Sequence, residues 1–223
     1  MKVGFVVAME EEYRPFLKRL GTLVAEDRVC GIDFCTYTNG GPEIVLAKCG
    51  IGEIGAACAA GLLIGHFGCT YIVNFGLVGS LDGRSLRSIV AVQDVVHYDC
   101  DITAFGHAPA APADIKDPFI PADPKMVELF KSRNVPVVRL ASGDKFVADA
   151  ALKNKLKADF SAQICDMEGA GVALTCARAG VPFSMIKVIS DSADSAAAIL
   201  FGDNKKMGFD FAVNVVLTIL RRF

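Results

Sequence analysis

Carboxylates stand directly behind three of the apolar runs in this chain. Glu10, Glu11 and Glu12 follow residues 3–9, Asp166 and Glu168 follow residues 163–165, and Asp191 follows residues 183–190. Open α/β folds place their sites just beyond the carboxyl ends of strands. Burial of a carboxylate there raises its pKa toward that of a general acid or base. Taken singly, each has an ordinary reading: Glu10 and Glu11 as first-turn acids favoured by a helix dipole, Asp191 as a helix N-cap. Converging on one sheet edge, they suit cleavage of a glycosidic bond. One carboxylate activates water, another protonates the leaving group, and the sugar passes through an oxocarbenium-like state.

Two other constellations compete with this chemistry. Gly50-Ile51-Gly52-Glu53-Ile54-Gly55 is a G-x-G-x-x-G that follows a strand and opens a helix, as a dinucleotide fingerprint should. The ribose-binding acid expected about 20 residues further on is absent, since the next strand runs into Asn74-Phe75-Gly76. A ligand-facing loop is therefore expected there, with NAD the lesser reading. His97-x-Asp99-x-Asp101 puts three metal-ligand types on one strand face, but the chain has only 3 histidines and no second cluster, so a polar strand end is the better reading. No G-x-S-x-G, P-loop or H-E-x-x-H occurs. No metal or organic cofactor is implied.

The elements that must position these residues alternate. Apolar runs of strand length fall at 3–8, 44–49, 71–75, 89–96, 136–141, 163–166 and 183–190. Most are continuous, as strands buried on both faces should be. Helix-length segments lie between them at 11–20, 53–67, 124–133, 149–158, 168–179 and 205–222. This predicts an α/β three-layer sandwich, a mostly parallel, mixed central sheet flanked by helices. Residues 54–81 carry no formal charge apart from His66 and are long enough to span a bilayer. Gly65, Gly68 and Asn74 break the run, which is read as a helix and a strand buried in the core. The proline-rich stretch 107–124 reads as a long ordered loop, either bordering a site or a partner subunit or making a passive surface excursion.

Composition agrees. The 223 residues fit one domain spanning 1–223; 52% are hydrophobic and 22% charged, which excludes disorder. With 23 Lys and Arg against 25 Asp and Glu, and no basic run, nucleic acid is not an expected partner. The 8 cysteines sit mostly in apolar segments without CxxC spacing and read as buried thiols. Residues 3–9 run straight into acid and do not read as a signal peptide. A cytoplasmic protein without membrane association is expected.

At these residues the sequence resembles the bacterial 5'-methylthioadenosine/S-adenosylhomocysteine nucleosidases of the nucleoside phosphorylase superfamily, nearly end to end. The likeness is carried by Ala8-Met9-Glu10-Glu11-Glu12, Cys49-Gly50-Ile51-Gly52, residues 101–106, Ser142-Gly143-Asp144, Asp166-Met167-Glu168 and Ile189-Ser190-Asp191-Ser192-Ala193-Asp194 in that order. The resemblance implies that Glu12 orients the attacking water, that Asp191 protonates purine N7, and that Glu168 and Met167 hold the ribose. It implies an adenine pocket at Phe146 and Val147 and an apolar lining for the 5'-alkylthio group from Met9, Ile51 and Phe201. Ala8, Leu77, Asp166 and Ser190 are expected beside the substrate. Ile102 and Phe105 match residues lent by a neighbouring subunit, so a homodimer is implied. Two departures from the family and one from its phosphorylase relatives stand out. Where members read Asn-Thr-Gly-Ser-Ala-Gly-Gly, this chain has Asn74-Phe75-Gly76-Leu77-Val78-Gly79-Ser80, so a small hydroxyl becomes Leu77. A usual Arg is Lys187, and Asn74 stands where related phosphorylases carry a phosphate-holding Arg, which favours hydrolysis over phosphorolysis. The alternatives are a phosphate-dependent phosphorylase, a futalosine-type hydrolase and a noncatalytic nucleoside-binding module.

Overall fold

A computed structural model describes residues 1–223 apart from 18, 39, 113, 114, 116, 205–212, 215, 216 and 218–223. The helix expected at 205–222 lies largely outside the described residues. Parallel β1 (Lys2–Val7), β4 (Glu43–Lys48) and β5 (Tyr71–Ser80) form the middle of one mixed sheet. Their side chains are almost all buried, which is why the sequence shows continuous apolar runs rather than alternation. A hairpin of β2 (Thr22–Val29) and β3 (Ile32–Thr38) extends the sheet antiparallel from β4.

On the other side the sheet turns back on itself. β10 (Phe183–Asp191) runs parallel to β5, and β6 (Ile89–His97) runs antiparallel to β10. β8 (Val137–Ser142) runs parallel to β6, and β9 (Ile164–Asp166) parallel to β8. β9 then pairs antiparallel with the far end of β5, Cys165 opposite Gly79, which closes a ring. β7 (Phe119–Pro121) adds antiparallel to β6. The α/β class is as expected. The sheet is mixed as expected but not mostly parallel, because among the described residues parallel and antiparallel pairings are equal in number, and β5 uses both edges of its carboxyl half, one for β10 and one for β9.

Around the sheet pack α1 (Glu10–Leu17), α2 (Glu53–Gly65), α3 (Pro124–Ser132), α4 (Ala150–Phe160), α5 (Gly169–Ala179) and α6 (Ala197–Asn204). α3 and α4 begin where Asp123 and Asp149 accept N–H groups of Lys125 and Leu152. The charge-free run divides as expected into α2 and β5, but only β5 is fully buried. α2 buries Glu53, Ala56, Ala59, Ala60 and Leu63 and leaves Ile54, Cys58, Gly61 and Gly65 on an exposed face. Helical periodicity requires this two-faced outcome where only one side meets the sheet. The thiols divide similarly: Cys35, Cys69, Cys165 and Cys176 are buried, Cys49 and Cys100 half-buried, Cys30 and Cys58 exposed, and all are free. No described helix is long and apolar enough to cross a membrane.

Candidate active site

The ring of strands and the ends of β1 and α6 surround one cavity. Of the residues expected at a site, Ala8, Met9, Glu12, Ile51, Leu77, Phe146, Val147, Asp166, Met167, Glu168, Ser190, Asp191 and Phe201 all line it. Ile102 and Phe105 do not. They sit in a short 3₁₀ turn, Thr103–Phe105 and its preceding residue, with Phe105 83% exposed. The described residues of the proline-rich stretch stay away from the cavity as well. Val78, Gly79, Lys145 and Cys165 complete the lining. All but Gly79 adjoin an expected residue in sequence, and that adjacency was the only signal for them.

Glu12 is buried at the start of α1, directly beyond β1, and its carboxylate is fully engaged on three sides. Oε2 accepts the Ala8 and Met9 N–H groups at 3.0 Å each, and Oε1 accepts the Leu77 N–H at 2.9 Å. A carboxylate offers about four lone-pair positions, so one remains. Burial pushes the Glu12 pKa up, against the pull of these N–H donors and of Lys187. A base with one free acceptor position and a raised pKa can orient a water and take its proton.

Asp191 owes its aim to an irregularity in the sheet. Ile189 pairs with Val78 and Asp191 with Gly79, so Ser190 is an extra residue in β10, and such bulges redirect the side chain that follows. The Asp191 Oδ1 accepts the Ala193 N–H at 2.9 Å, and Oδ2 lies 2.8 Å from the Ser190 hydroxyl. That hydroxyl also lies 3.2 Å from the Val78 carbonyl, an alternative acceptor when Asp191 carries a proton. Gly79 is required here, because a Cβ on it would stand 2.9 Å from Asp191 Oδ1. Burial raises the Asp191 pKa. Since α6 begins six residues later, Asp191 caps no helix.

Glu168 precedes α5, and its Oε1 accepts the Gly52 N–H at 2.9 Å. Gly52 has φ +111, open to glycine alone, and a pyrophosphate on this G-x-G-x-x-G would have to displace Glu168 from that N–H. The loop is ligand-facing through Ile51, but its amide serves a carboxylate. Burial, then the neighbouring Asp166, raise the Glu168 pKa to about 8. Asp166 is paired with Lys187 at 2.6 Å, both buried. Burial lowers the Lys187 pKa, but Asp166, Glu168 and Glu12 outweigh it and the net shift is upward. Asn74 donates to the Val6 carbonyl at 3.1 Å and ties β5 to β1. Phe146 and Phe201 meet edge to face at the mouth, centroids 5.7 Å apart. His97 and Asp101 do not share a ligand face: His97 pairs with Asp99 at 2.9 Å, and Asp101 turns back onto Thr103. Among the described residues no group of three His, Cys, Asp or Glu side chains is placed to hold a metal ion.

The whole chain matches known proteins in sequence and fold. The family model described as "Phosphorylase superfamily" matches residues 2–221. The chain belongs to the phosphorylase superfamily. Within it, a 5'-methylthioadenosine/S-adenosylhomocysteine nucleosidase of Halalkalibacterium halodurans is 34% identical across 99% of this chain and 98% of its own length, which places the chain in that nucleosidase family. The Streptococcus pyogenes S-adenosylhomocysteine nucleosidase, solved with 5-methylthiotubericidin, superposes with TM-score 0.94 at 30% identity, covering 100% of this chain and 97% of its own. A futalosine hydrolase mutant of Helicobacter pylori does so with TM-score 0.94 at 26% identity, covering 100% of both chains. The cavity is thus built here from residues of, or next to, β1, β5, β9 and β10.

Proposed function

We propose that this chain hydrolyses the N-glycosidic bond of 5'-methylthioadenosine and S-adenosylhomocysteine, releasing adenine and a 5'-thioribose. The observation that carries the reading is the convergence of Glu12, Glu168 and Asp191 on one cavity, each tethered by main-chain N–H groups. Glu12 is held at Leu77 of β5 and Asp191 beside Gly79, two residues or about 7 Å along the strand. That spacing leaves a sugar between them. Asp191, kept protonated by burial, gives its proton to purine N7, so adenine leaves neutral. The Ser190 hydroxyl turns from the Val78 carbonyl to the new carboxylate. Glu168 accepts from the ribose hydroxyls and, in its ionised form, stabilises the cationic sugar. Glu12 takes one proton from water as its oxygen bonds to the anomeric carbon. Phe146 offers its face to the base.

Phosphate has no comparable place. The floor of the cavity is lined by carboxylates, Asn74 is spent on Val6, and Lys145 is the one cation among the described lining residues, exposed at the mouth. Adenine release from methylthioadenosine and adenosylhomocysteine is expected without phosphate. Strict phosphate dependence would move the reading to a phosphorylase, and release of hypoxanthine from futalosine in preference to adenine would move it to the other hydrolase. Binding without any release would leave a nucleoside-binding module.

A second observation supports a homodimer. The outer stripe of α2, Ile54, Cys58, Gly61 and Gly65, is exposed and uncharged, with Ile54 83% exposed, and Ile51 at the cavity is 62% exposed. A second copy covering this face would seclude Ile51 and bring its own Phe105 to the site. Light scattering at micromolar concentration should give twice the chain mass of 23.7 kDa; a monomer there would refute the shared site.

A further inference from the structure

Behind the cavity lies a second carboxylate, Glu53, for which the glycosidic chemistry has no direct use. It is the first residue of α2, is buried, and faces a single hydroxyl from one side of which Asp166 approaches too. The Ser142 Oγ stands 2.5 Å from Glu53 Oε1 and 2.5 Å from Asp166 Oδ1. A hydroxyl has one hydrogen and serves only one of them. If both carboxyls were ionised, the other would press a lone pair against the Ser142 oxygen. One must therefore be protonated and donate. Asp166 is the partner of the Lys187 ammonium and also accepts the Gly169 N–H at 3.1 Å, so the negative charge belongs there. Glu53 Oε2 accepts the Gly171 N–H, which leaves Oε1 to carry the proton.

We propose that Glu53 is a positioning residue for the reaction, holding a proton on Ser142 so that the chain Glu53–Ser142–Asp166–Lys187 keeps Glu168 set against the ribose. The link to Glu168 is short. The amide that orients Glu168 belongs to Gly52, the residue before Glu53, and the Glu53 N–H itself is held by Asp144 at 2.8 Å. Side chain and backbone of Glu53 thus pin the start of α2 to β8, β9 and α5. Loss of the proton puts a second anion against Asp166 and pushes this pin apart. The groups facing Glu53 are Ser142 of β8, Asp166 of β9, the Gly171 and Ala170 amides of α5, Asp144 of the following loop, and Tyr98 beyond β6. No cation among them offsets a second charge. Burial, then Asp166, raise the Glu53 pKa to about 7, so the proton is held on the acid side of neutrality and released as pH rises through it.

The inference rests on the nucleosidase reading, and its test separates the two. Glu53→Gln keeps the acceptor for Gly171 and donates permanently to Ser142. Methylthioadenosine binding is measured by calorimetry on Asp191→Asn and on Asp191→Asn/Glu53→Gln from pH 6 to 9. Glu168 titrates in both. The single variant should lose at least about threefold more affinity over this range, the share that follows Glu53 ionisation. Parallel profiles overturn the proposal. Should Glu53→Gln not fold, Ser142→Ala in the same background removes the bridging oxygen and must likewise abolish the excess pH dependence. Melting temperatures of wild type and Glu53→Gln supply an arm independent of substrate: their difference should widen in favour of Gln between pH 5 and 8, and a constant difference overturns the shared proton. If nucleoside does not bind at all while the melting arm holds, the nucleosidase reading has failed and the role in catalysis goes with it, but the buried proton stands.

Discussion

Glu12 is surrounded in a way that separates position from reactivity. Three main-chain donors fix its carboxylate, and only its fourth lone-pair site is left to meet water, so its geometry does not depend on any neighbouring side chain. Leu77 illustrates the same separation. Its amide holds Glu12 whatever the side chain, which is why a residue that departs from the family pattern can stand at the site without dislodging the base. Glu12→Gln sets an amide NH2 against one of these N–H donors, so it should lower the melting temperature while slowing adenine release by about a thousandfold, the scale of one lost acid–base group, with nucleoside still bound. Asp191→Asn should slow release alike, since asparagine has no proton to give to N7. Each is checked by single-turnover adenine release beside equilibrium binding; near wild-type turnover in either variant would remove that residue from its role. The three carboxylates were legible in the sequence because each follows an apolar run, an arrangement costly unless used. Glu53 was hidden inside a glycine motif that drew the eye to its glycines, and no residue spacing could show that Ser142, 89 positions away, would bridge it to Asp166.

At the scale of elements, legibility followed burial. β1, β4, β5, β8, β9 and β10 announce themselves as apolar runs, and α2 to α5 fill the gaps between strands. The hairpin β2–β3 was not read. Almost all of β2 is exposed at the sheet edge and carries Glu26, Asp27 and Arg28, the charged dress that keeps an edge from pairing further. β7 is three residues long inside a proline-rich stretch, too short for any periodicity. The carboxyl half of β5 lies beyond the apolar run at 71–75, where Gly76 and Gly79 make room for Glu12 and Asp191. The α2–α5 contact is similarly glycine-made. A Cβ on Gly171 would lie 2.4 Å from the Glu53 carbonyl oxygen and 3.1 Å from the Ala57 nitrogen, both backbone atoms of α2. Gly171→Ala must move one helix, at about 1–3 kcal/mol of stability. Because α2 carries Gly52, activity should fall with it through KM, and a variant with lowered melting temperature but unchanged KM would show that the amide of Gly52 does not depend on this packing.

The closed part of the sheet sets the electrostatics of the whole molecule. Pairing β5 on one edge with β9 and on the other with β10 brings the carboxyl ends of β9 and β10 to the same region as that of β1. Glu12, Glu53, Asp166, Glu168 and Asp191 are consequently buried near a single ammonium, Lys187. An open sheet would spread these groups along its edge, where water would moderate them. Enclosed, four of them shift upward: Glu12 and Asp191 by burial, Glu53 to about 7, Glu168 to about 8. The unfolded chain releases these protons near the ordinary glutamate value of 4.5, whereas the folded chain keeps them until higher pH. Between those limits the native state binds more protons than the unfolded one, so ΔG of unfolding must decline as pH rises. The stabilising contribution of Glu53 is whole below pH 4.5 and gone above about 7, and that of Glu168 is gone above about 8. Other paired carboxylates of the chain, such as Glu10 beside Lys48 and Arg14, pull the opposite way but do so at lower pH, because their pKa lies below 4.5. The melting temperature should therefore pass its maximum on the acid side of neutrality and fall by several degrees from pH 5.5 to 8.5, and a nucleoside that engages Glu168 should recover part of the loss. A melting temperature that rises across this interval would mean that the buried carboxylates are already ionised in the folded protein, and that the enclosed ring neutralises them by some means other than protons.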